Sequence, residues 1–208
     1  MMSMKRNICW LLIGVMLITL TACSKKETKE TTEETTTGSQ AEEARLPGKL
    51  YLIGLKEGEE PVLKSLRISG NLAGSTEFNE KKAATEGIRC IFELDEWVEI
   101  YPEVSGDKSK LCVWVFVHNE DQGQYEKMKF SEEMKGLAAY AEVSGDEEDA
   151  YAPFYLNPED QNPGYYDLVF TYNGKAIATL LTRFYAADEL QGKSDSELNQ
   201  IMKGLEAQ

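Results

Sequence analysis

The stretch that decides the fold runs from residue 164 to residue 185 and reads Gly-Tyr-Tyr-Asp-Leu-Val-Phe-Thr-Tyr-Asn-Gly-Lys-Ala-Ile-Ala-Thr-Leu-Leu-Thr-Arg-Phe-Tyr. Its Asn173-Gly174 pair can supply the two consecutive positive φ angles that a type I′ turn requires. Two apolar, aromatic and β-branched runs flank the pair, so the stretch predicts a β-hairpin. With a two-residue loop, Tyr172 should face Lys175, Phe170 should face Ile177 and Tyr166 should face Leu181.

This register sorts the side chains of the hairpin between its two faces. The apolar face would hold Tyr166, Leu168, Phe170, Ile177 and Leu181, and the other face Tyr165, Asp167, Thr171 and Thr182 among smaller apolar groups. Since a slip by one residue would reverse every side chain, this sorting favours the register. We therefore expect one buried face and one more polar face.

Further strands are predicted on the amino-terminal side of the hairpin. The candidates are Leu50–Leu55, Val62–Ile68, Ile88–Leu94, Trp97–Tyr101 and Leu111–Val117. The second is expected to return beside the first after a charged turn. The third alternates apolar with charged residues, which predicts a half-buried strand. The last is apolar on both parities, which predicts a central strand.

The segment Ser131–Val143 is ambiguous, since its apolar spacing fits a helix while Leu137–Val143 fits an edge strand; we favour the strand. Residues 191–208 are expected to form a short amphipathic helix. Ser194 and Glu197 have the spacing of a capping box. The apolar residues that follow are Leu198, Ile201, Met202 and Leu205. Packing on the strands is the simpler expectation for this helix, and binding of a partner is the alternative.

Taken together, these patterns predict a mainly β protein. The fold class is an antiparallel β-sandwich over residues 47–190, followed by the short C-terminal helix. The Gly164–Lys175 part of the hairpin resembles the last hairpin of immunoglobulin-like domains on bacterial surfaces. That resemblance implies an immunoglobulin-like sandwich. Cys112 and Trp114 resemble part of the immunoglobulin core, although the Cys…Trp…Cys order of that family is not reproduced.

The amino terminus predicts export. Lys5 and Arg6 precede an apolar run, Ile8–Leu20, that is too short to span a hydrocarbon core of about 30 Å. Residues 1–22 therefore have the layout of a secretory signal peptide. The following Leu20-Thr21-Ala22-Cys23 resembles the lipobox of bacterial lipoproteins. The resemblance implies cleavage before Cys23 and a diacylglyceryl anchor with palmitate-like chains on its sulfur; an ordinary signal peptide is the alternative.

Residues 23–46 are predicted to be a lipidated cysteine followed by a disordered, acidic, threonine-rich tether. Between Ser24 and Gln40 there is no aliphatic or aromatic side chain to offset the entropy of ordering. Two acyl chains give stable membrane anchoring. We therefore expect the domain to be held by Cys23 on the extracytoplasmic face of a bacterial cell membrane.

The charge balance limits the partners. The chain carries a net charge of −14, and removal of Lys5 and Arg6 leaves 20 basic against 36 acidic residues, a net of −16. Nucleic acid binding is excluded because neutralising phosphates requires basic patches. Cationic partners and divalent ions remain compatible, although solubility alone explains an acidic exterior.

Catalytic motifs are missing from the sequence. The single histidine, His118, follows an apolar strand and precedes Asn119, and it is interpreted as a solvated loop residue. There is no Gly-rich phosphate loop and no clustered Cys/His metal set. We therefore do not expect an enzyme or a bound cofactor. The alternatives are a hydrolase of envelope polymers that uses a carboxylate pair, or a structural envelope component.

Two binding hypotheses remain. Asp146, Glu148 and Asp149 carry the hard oxygen ligands that Ca²⁺ prefers, or they form a solvated acidic turn. The second hypothesis concerns a proline-interrupted aromatic group that could stack on a sugar or peptide, or could cap the core. Its members are Tyr151, Phe154, Tyr155, Tyr165 and Tyr166.

Cys90 and Cys112 are the cysteines beyond the lipobox, and they form either a disulfide or two buried thiols. Overall, the sequence predicts a lipid-anchored extracytoplasmic protein at the bacterial cell surface. Its expected partner is an unknown peptide, glycan or surface protein.

Overall fold

The structure is a computed structural model that describes residues 45–72, 81–82, 87–119, 124–145 and 149–207. In these ranges the chain forms two β-sheets with a hydrophobic core between them, and a short helix near the carboxyl end. The predicted fold class, a mainly β antiparallel β-sandwich with a short C-terminal helix, is therefore confirmed. No helix among the described residues is both long and apolar enough to cross a bilayer.

The described ranges contain ten strands and two α-helices. The strands are β1 (Leu50–Leu52), β2 (Leu63–Gly70), β3 (Lys81–Lys82), β4 (Ile91–Glu93), β5 (Trp97–Val104), β6 (Leu111–Val117), β7 (Leu137–Glu142), β8 (Ala152–Tyr155), β9 (Gly164–Tyr172) and β10 (Lys175–Tyr185). The helices are α1 (Gln124–Lys127) and α2 (Asp195–Glu206). A 3₁₀ turn at Lys108–Lys110, capped by the Asp107 side chain, leads into β6.

The large sheet has the order β1-β10-β9-β6-β7, with β4 paired to the same edge of β10 that β1 occupies. β1 pairs antiparallel with the first half of β10, Leu50 lying opposite Leu180. β4 pairs parallel with the last residues of β10, Phe92 lying opposite Phe184. Two short strands thus share the edge of the longest strand. β6 lies between β9 and β7, which confirms its predicted central position.

The small sheet has the order β3-β2-β5-β8. The prediction that the second strand returns beside the first is wrong, because β2 pairs with β5 in this sheet while β1 pairs with β10 in the other. A register shift between Leu63 and Ser65 also explains why Lys64 interrupts the apolar parity of β2. The irregularity turns Leu63 into the core and leaves Lys64 exposed.

The hairpin forms at the predicted turn, but its register changes after two residue pairs. Asn173 and Gly174 have φ angles of 51° and 72°, and Tyr172 lies opposite Lys175 as predicted. An irregularity between Ala176 and Ala178 then moves the pairing by one residue. Phe170 faces Ala178 and Tyr166 faces Thr182, so the pairs predicted with Ile177 and Leu181 are wrong. The shift places Ala178, Leu180 and Phe184 in the core.

The face of the large sheet that points away from the small sheet is also covered. Trp114, Phe116 and Val169 pack there against Tyr125 of α1 and the segment that follows α1. Leu198, Met202 and Leu205 of α2 form a second cluster with Cys90 and Ile91. The expectation that the helix packs on the strands is thus confirmed, as is its capping box between Ser194 and Glu197.

Residues 88–94 are buried on both parities, so the prediction of a half-buried strand is wrong. Arg89 and Glu96 form a buried ion pair, and Glu96 also accepts hydrogen bonds from the backbone N–H groups of Leu72 (2.9 Å) and Glu93 (3.1 Å). These partners compensate charges that would otherwise be too costly to bury. Gly70 lies against the pair, and a Cβ at this position would collide with the Glu96 carboxylate and displace it.

The segment 131–143 resolves into a turn followed by a strand. β7 spans Leu137–Glu142 and lies at the end of the large sheet, as the edge-strand interpretation predicted. The preceding turn lies against β6, with Phe130 beside Trp114 at 5.3 Å between ring centroids. This turn and the edge strand form the walls of a groove described below.

Candidate ligand-binding face

The outer face of the small sheet carries the most exposed aromatic side chains of the described residues on a regular strand framework. β5 alternates strictly at its start, with Val98 and Ile100 buried and Trp97 exposed. Because successive side chains point to opposite faces, Trp97, Glu99 and Tyr101 share the outward face. None of the three hydrophobic clusters includes these residues. We call this surface the open face; it comprises Arg67, Trp97, Glu99, Tyr101, Tyr151 and Tyr155.

Two rings stand at one end of the open face. Trp97 of β5 lies directly opposite Tyr155 of β8, and their side chains are 48% and 40% exposed. Cross-strand neighbours of this kind have Cβ atoms about 5 Å apart, so the two side chains leave the sheet side by side on the same face. The Tyr155 hydroxyl donates a 2.6 Å hydrogen bond to Asp95 Oδ1, which fixes the edge of this surface.

Glu99 fixes the middle of the open face. Its Oε1 accepts a hydrogen bond from Trp97 Nε1 at 3.3 Å, and its Oε2 accepts one from the Tyr101 hydroxyl at 2.7 Å. The two rings on either side of this carboxylate are therefore oriented in the absence of a ligand. Because a strand rises by about 3.3 Å per residue, Trp97 and Tyr101 are separated by about 13 Å along β5.

Tyr101 belongs to a stack at the other end of the open face. The Arg67 guanidinium lies 3.8 Å from the centroid of its ring, and the Tyr151 ring lies 5.5 Å away at an angle of 30°. Such contacts are favourable by about 0.5–1 kcal/mol each and help to hold the ring in place. The open face thus combines rigid rings with carboxylate acceptors between them.

Two tyrosine hydroxyls of the open face, those of Tyr101 and Tyr155, have a raised pKa. The hydrogen bond to Glu99 is the main cause that raises the pKa of Tyr101, and the hydrogen bond to Asp95 raises the pKa of Tyr155. Since both tyrosines are neutral at physiological pH, the rings present apolar faces with polar rims. A surface of this kind can pack against the apolar face of a sugar ring while carboxylates accept hydrogen bonds from its hydroxyl groups.

The predicted aromatic group does not form one site. Tyr151 and Tyr155 lie on the open face, whereas Phe154 and Tyr166 are buried in the core, as the core-capping alternative predicted for those two. Tyr165 lies on the large sheet, where the Arg183 guanidinium lies 4.9 Å from its ring centroid. The five residues are close in sequence, but in the structure they lie on three different surfaces: the open face, the core and the outer face of the large sheet.

Sequence analysis missed Trp97 and Tyr101 as members of this face. The usable signal was the alternation of β5, in which Trp97, Glu99 and Tyr101 share one parity opposite Val98 and Ile100. The pairing of Trp97 with Tyr155, 58 positions apart, could not be derived from local pattern.

The calcium hypothesis remains a prediction. Asp146 and Glu148 lie outside the described residues, and Asp149 is exposed. Within the described ranges no group of three or more His, Cys, Asp or Glu side chains is arranged to hold a metal ion.

His118 lies in the loop after β6, as interpreted, but its side chain is largely buried and paired rather than solvated. Its Nδ1 lies 3.0 Å from Oδ2 of Asp167, which is fully buried and also accepts a 3.0 Å hydrogen bond from the Tyr125 hydroxyl. His118 lines a cleft of about 340 Å³ with Tyr165 and the turn at Asn162. With Nδ1 directed at the carboxylate, Nε2 is the ring nitrogen left for the cleft.

The disulfide between Cys90 and Cys112 is not formed, and both thiols are free. Cys112 lies opposite Thr171, while the carbonyl of Cys90 accepts from Arg183, which lies opposite Tyr165. Cys112 thus lies level with Thr171 of β9 and Cys90 lies near the level of Tyr165. These two positions are six residues apart on β9, or about 20 Å. A disulfide requires Cα atoms within about 7 Å.

No protein-family model matches this chain, and no curated protein matches it. Cys23, its leader and the tether up to residue 44 lie outside the described residues, so the lipoprotein resemblance stays a prediction. The case for a function therefore rests on the geometry of the described surfaces.

Proposed function

We propose that this chain is a lipid-anchored extracytoplasmic binding protein that holds a glycan of the cell envelope against its open face. The observation that carries the proposal is the exposed pair of Trp97 and Tyr155, continued along β5 by Glu99 and Tyr101. Tyr and Trp are enriched at interaction surfaces, because each joins an apolar ring to a polar group. A neutral polysaccharide fits best, because it offers apolar ring faces for the aromatics and hydroxyl groups for the carboxylates.

The orientation of the rings supports a binding role for the open face. Trp97 and Tyr101 are each held by an oxygen of Glu99, and Tyr155 is held by Asp95. Side chains that are already ordered lose little further freedom when a ligand docks, which favours affinity.

The proposed anchor fits a protein that binds a polymer close to the membrane. Lipid on Cys23 would keep the domain at the membrane, and the tether of residues 24–46 would let it reach the envelope above. A Cys23→Ser variant is expected to remain an unlipidated precursor, measured by its size and by detergent partition. A mature product of unchanged size that still partitions into detergent would contradict lipidation at Cys23.

Retention on insoluble polymers tests the glycan proposal. The full chain, in a non-ionic detergent, would be mixed with purified peptidoglycan, chitin and cellulose, and the bound fraction measured over a range of polymer concentrations. We expect saturable retention on at least one polymer. We expect Trp97→Ala and Tyr155→Ala each to reduce the affinity about tenfold, as for central aromatic residues of other binding sites.

Tyr140→Ala is the matched control, because it removes an aromatic residue of similar exposure from the large sheet. Its retention should equal that of the wild type. Equal losses in Tyr140→Ala and Trp97→Ala would contradict the placement of the site, and no retention on any polymer would contradict the glycan. Release of sugar into the supernatant would instead favour the hydrolase hypothesis.

A further inference from the structure

A second surface lies on the large sheet, on the side that faces away from the small sheet, and the open face does not involve it. It is a groove of about 480 Å³ at the edge of the sheet. Cross-strand neighbours form its floor, with Trp114 opposite Tyr140 and Cys112 opposite Glu142. The segment Phe130–Glu133 forms its wall. We call it the acidic groove; its lining residues are Cys112, Trp114, Phe130, Ser131, Glu132, Glu133, Tyr140 and Glu142.

Aromatic carbon dominates the floor of the acidic groove. The rings of Trp114 and Tyr140 stack with centroids 5.2 Å apart and planes 22° apart, and Phe130 lies 5.3 Å from Trp114. The indole N–H of Trp114 already donates to Thr171 Oγ1 at 2.9 Å. Trp114 itself is only 8% exposed, so Tyr140, which is 37% exposed, and the partly buried Phe130 supply the accessible ring surface. The floor therefore offers π-electron surface rather than hydrogen-bond donors.

Carboxylates dominate the rim of the groove. Glu132, Glu133 and Glu142 contribute three negative charges, and among the described residues that line the groove there is no lysine or arginine. A carboxylate accepts hydrogen bonds but donates none, so an anionic ligand would find no donor from these groups. The net charge of −14 for the whole chain adds to this negative field.

The remaining polar hydrogens of the groove do not offset these charges. The Glu132 side chain is the main cause that raises the pKa of Tyr140, so this hydroxyl stays neutral beside the carboxylates. Burial, followed by the charge of Glu142, raises the pKa of Cys112, which keeps this thiol neutral. The groove is thus complementary to a ligand that brings positive charge and apolar surface together.

We propose that the acidic groove binds a quaternary ammonium cation, the trimethylammonium group of a small molecule such as choline. Aromatic faces attract such cations, and N-methyl groups are weakly hydrated enough to leave water for carbon. A primary ammonium is a strongly hydrated point charge that favours direct hydrogen bonds over an aromatic floor. A phosphate on the same ligand would meet the three glutamates, so free choline suits the groove better than phosphocholine.

Titration of the full chain in a choline-free, non-ionic detergent tests the proposal, with binding followed by calorimetry or by ligand-observed NMR. The probes are choline, its neutral isostere 3,3-dimethyl-1-butanol, phosphocholine and Nα-acetyl-lysine methylamide. Choline should bind saturably, and each of the other three should bind at least about fivefold more weakly. Added salt should weaken choline binding, since the carboxylates lie near solvent.

Three variants locate the site. Tyr140→Ala removes a floor ring and should weaken choline binding about fivefold, and Glu142→Gln should weaken it about threefold by removing one charge. Glu99→Gln is the matched control, because it removes the same charge beside aromatic rings on the open face. Its choline affinity should stay within about twofold of the wild type.

Each of the following results would contradict a choline site in the acidic groove. Absence of saturable choline binding, or equal binding of the neutral isostere, would exclude a cation site. Tighter binding of the lysine derivative would exclude a quaternary ammonium, and loss of binding in Glu99→Gln but not in Glu142→Gln would exclude this groove. Since the glycan test depends on Trp97 and Tyr155, either proposal can fail while the other stands.

Discussion

The outer faces of the two sheets differ in what lies on them. On the large sheet, the segment around α1 and the helix α2 pack on the strands, and aromatic residues such as Trp114 become part of a hydrophobic cluster. On the small sheet, Trp97 and Tyr155 remain largely exposed. Trp114 therefore contributes mainly to stability, whereas Trp97 and Tyr155 are available for binding. On the large sheet an exposed ring remains at the edge, where Tyr140 lines the acidic groove.

Two arginines express this difference most sharply. Arg89 is buried and pairs with Glu96, with its guanidinium 4.7 Å from the ring centroid of Phe92. Arg67 lies on the open face, with its guanidinium 3.8 Å from the ring centroid of Tyr101. Burial lowers the pKa of Arg89, and the charge of Glu96 opposes this shift. Both arginines lie over a ring, but only one of them is surrounded by protein.

The largest effect is expected for Arg89→Met. It leaves the carboxylate of Glu96 buried without its ionic partner, which should lower the free energy of unfolding by about 3–5 kcal/mol. Urea unfolding at pH 7 measures the change. Arg67→Met, the matched control, should cost less than about 1 kcal/mol. An equal loss of unfolding free energy in the two variants would contradict the difference between buried Arg89 and surface Arg67.

A double variant sharpens this prediction. Replacing both members of the pair, as in Arg89→Met with Glu96→Leu, removes the uncompensated charge as well as its partner. Because breaking a buried pair costs more than replacing it, the double variant should be more stable than Arg89→Met alone. A strictly additive result would show that the two side chains do not act as a pair.

The two tryptophans give the next largest effect. Trp114 is 8% exposed, lies between Phe130 and Tyr140 and donates to Thr171. Trp114→Ala should therefore lower the free energy of unfolding by about 3 kcal/mol. Trp97→Ala, which removes the same side chain from the open face, should cost less than about 1 kcal/mol. Thermal or urea unfolding distinguishes the two, and a larger cost at Trp97 would contradict the open face.

These elements also show what the sequence could predict. The turn at Asn173-Gly174 and the capping box at Ser194 were predictable, because their chemistry is confined to a few consecutive residues. The hairpin register was not, because the irregularity at Ala176 and Ala178 follows from which side chains fill the core. Local turn chemistry fixed the first pairs of the ladder, and packing decided the later ones.

The candidate sites show the same limit. Because buried charges are rare without partners, Arg89 and Glu93 suggested that their side of the strand Ile88–Leu94 faces solvent. The partner Glu96 lies seven residues after Arg89, and the partners of Glu93 include the backbone of Leu190 and Gln191. Likewise, a search for aromatic residues within one stretch could not pair Tyr155 with Trp97. The partners of these residues are set by contacts between segments far apart in the chain, and a single sequence does not show such contacts.

A smaller effect is expected at the cap of α2. Ser194 Oγ accepts from the N–H of Glu197 and donates to its carboxylate at 2.7 Å. Ser194→Ala should lower the free energy of unfolding by about 1 kcal/mol at pH 7. Ser196→Ala is the control, because Ser196 lies in the same turn outside the capping box. Equal stability losses in the two variants would contradict the cap.

The deficit of Ser194→Ala should also depend on pH. Hydrogen bonds from Ser194 lower the pKa of Glu197 below its ordinary value of 4.5. A carboxyl group whose pKa is lower in the folded chain contributes stability above its unfolded pKa and loses it as the pH falls through its folded pKa. The deficit should therefore shrink on acidification below pH 4.5, without vanishing, because the bond from the Glu197 N–H does not titrate. Unfolding measured between neutral and acidic pH tests this.

The smallest effect separates two thiols within the covered side of the large sheet. Cys90 is fully buried beneath α2, and burial is the main cause that raises its pKa to about 12. Cys112 lines the acidic groove and is partly exposed. Iodoacetamide should therefore label Cys112 before Cys90 in the folded chain, with peptide mass spectrometry resolving each site. Urea should remove the difference, because unfolding exposes both thiols equally. Faster labelling of Cys90 would mean that α2 opens readily, and the helical cover would then be weaker than the packing of Leu198 and Met202 implies.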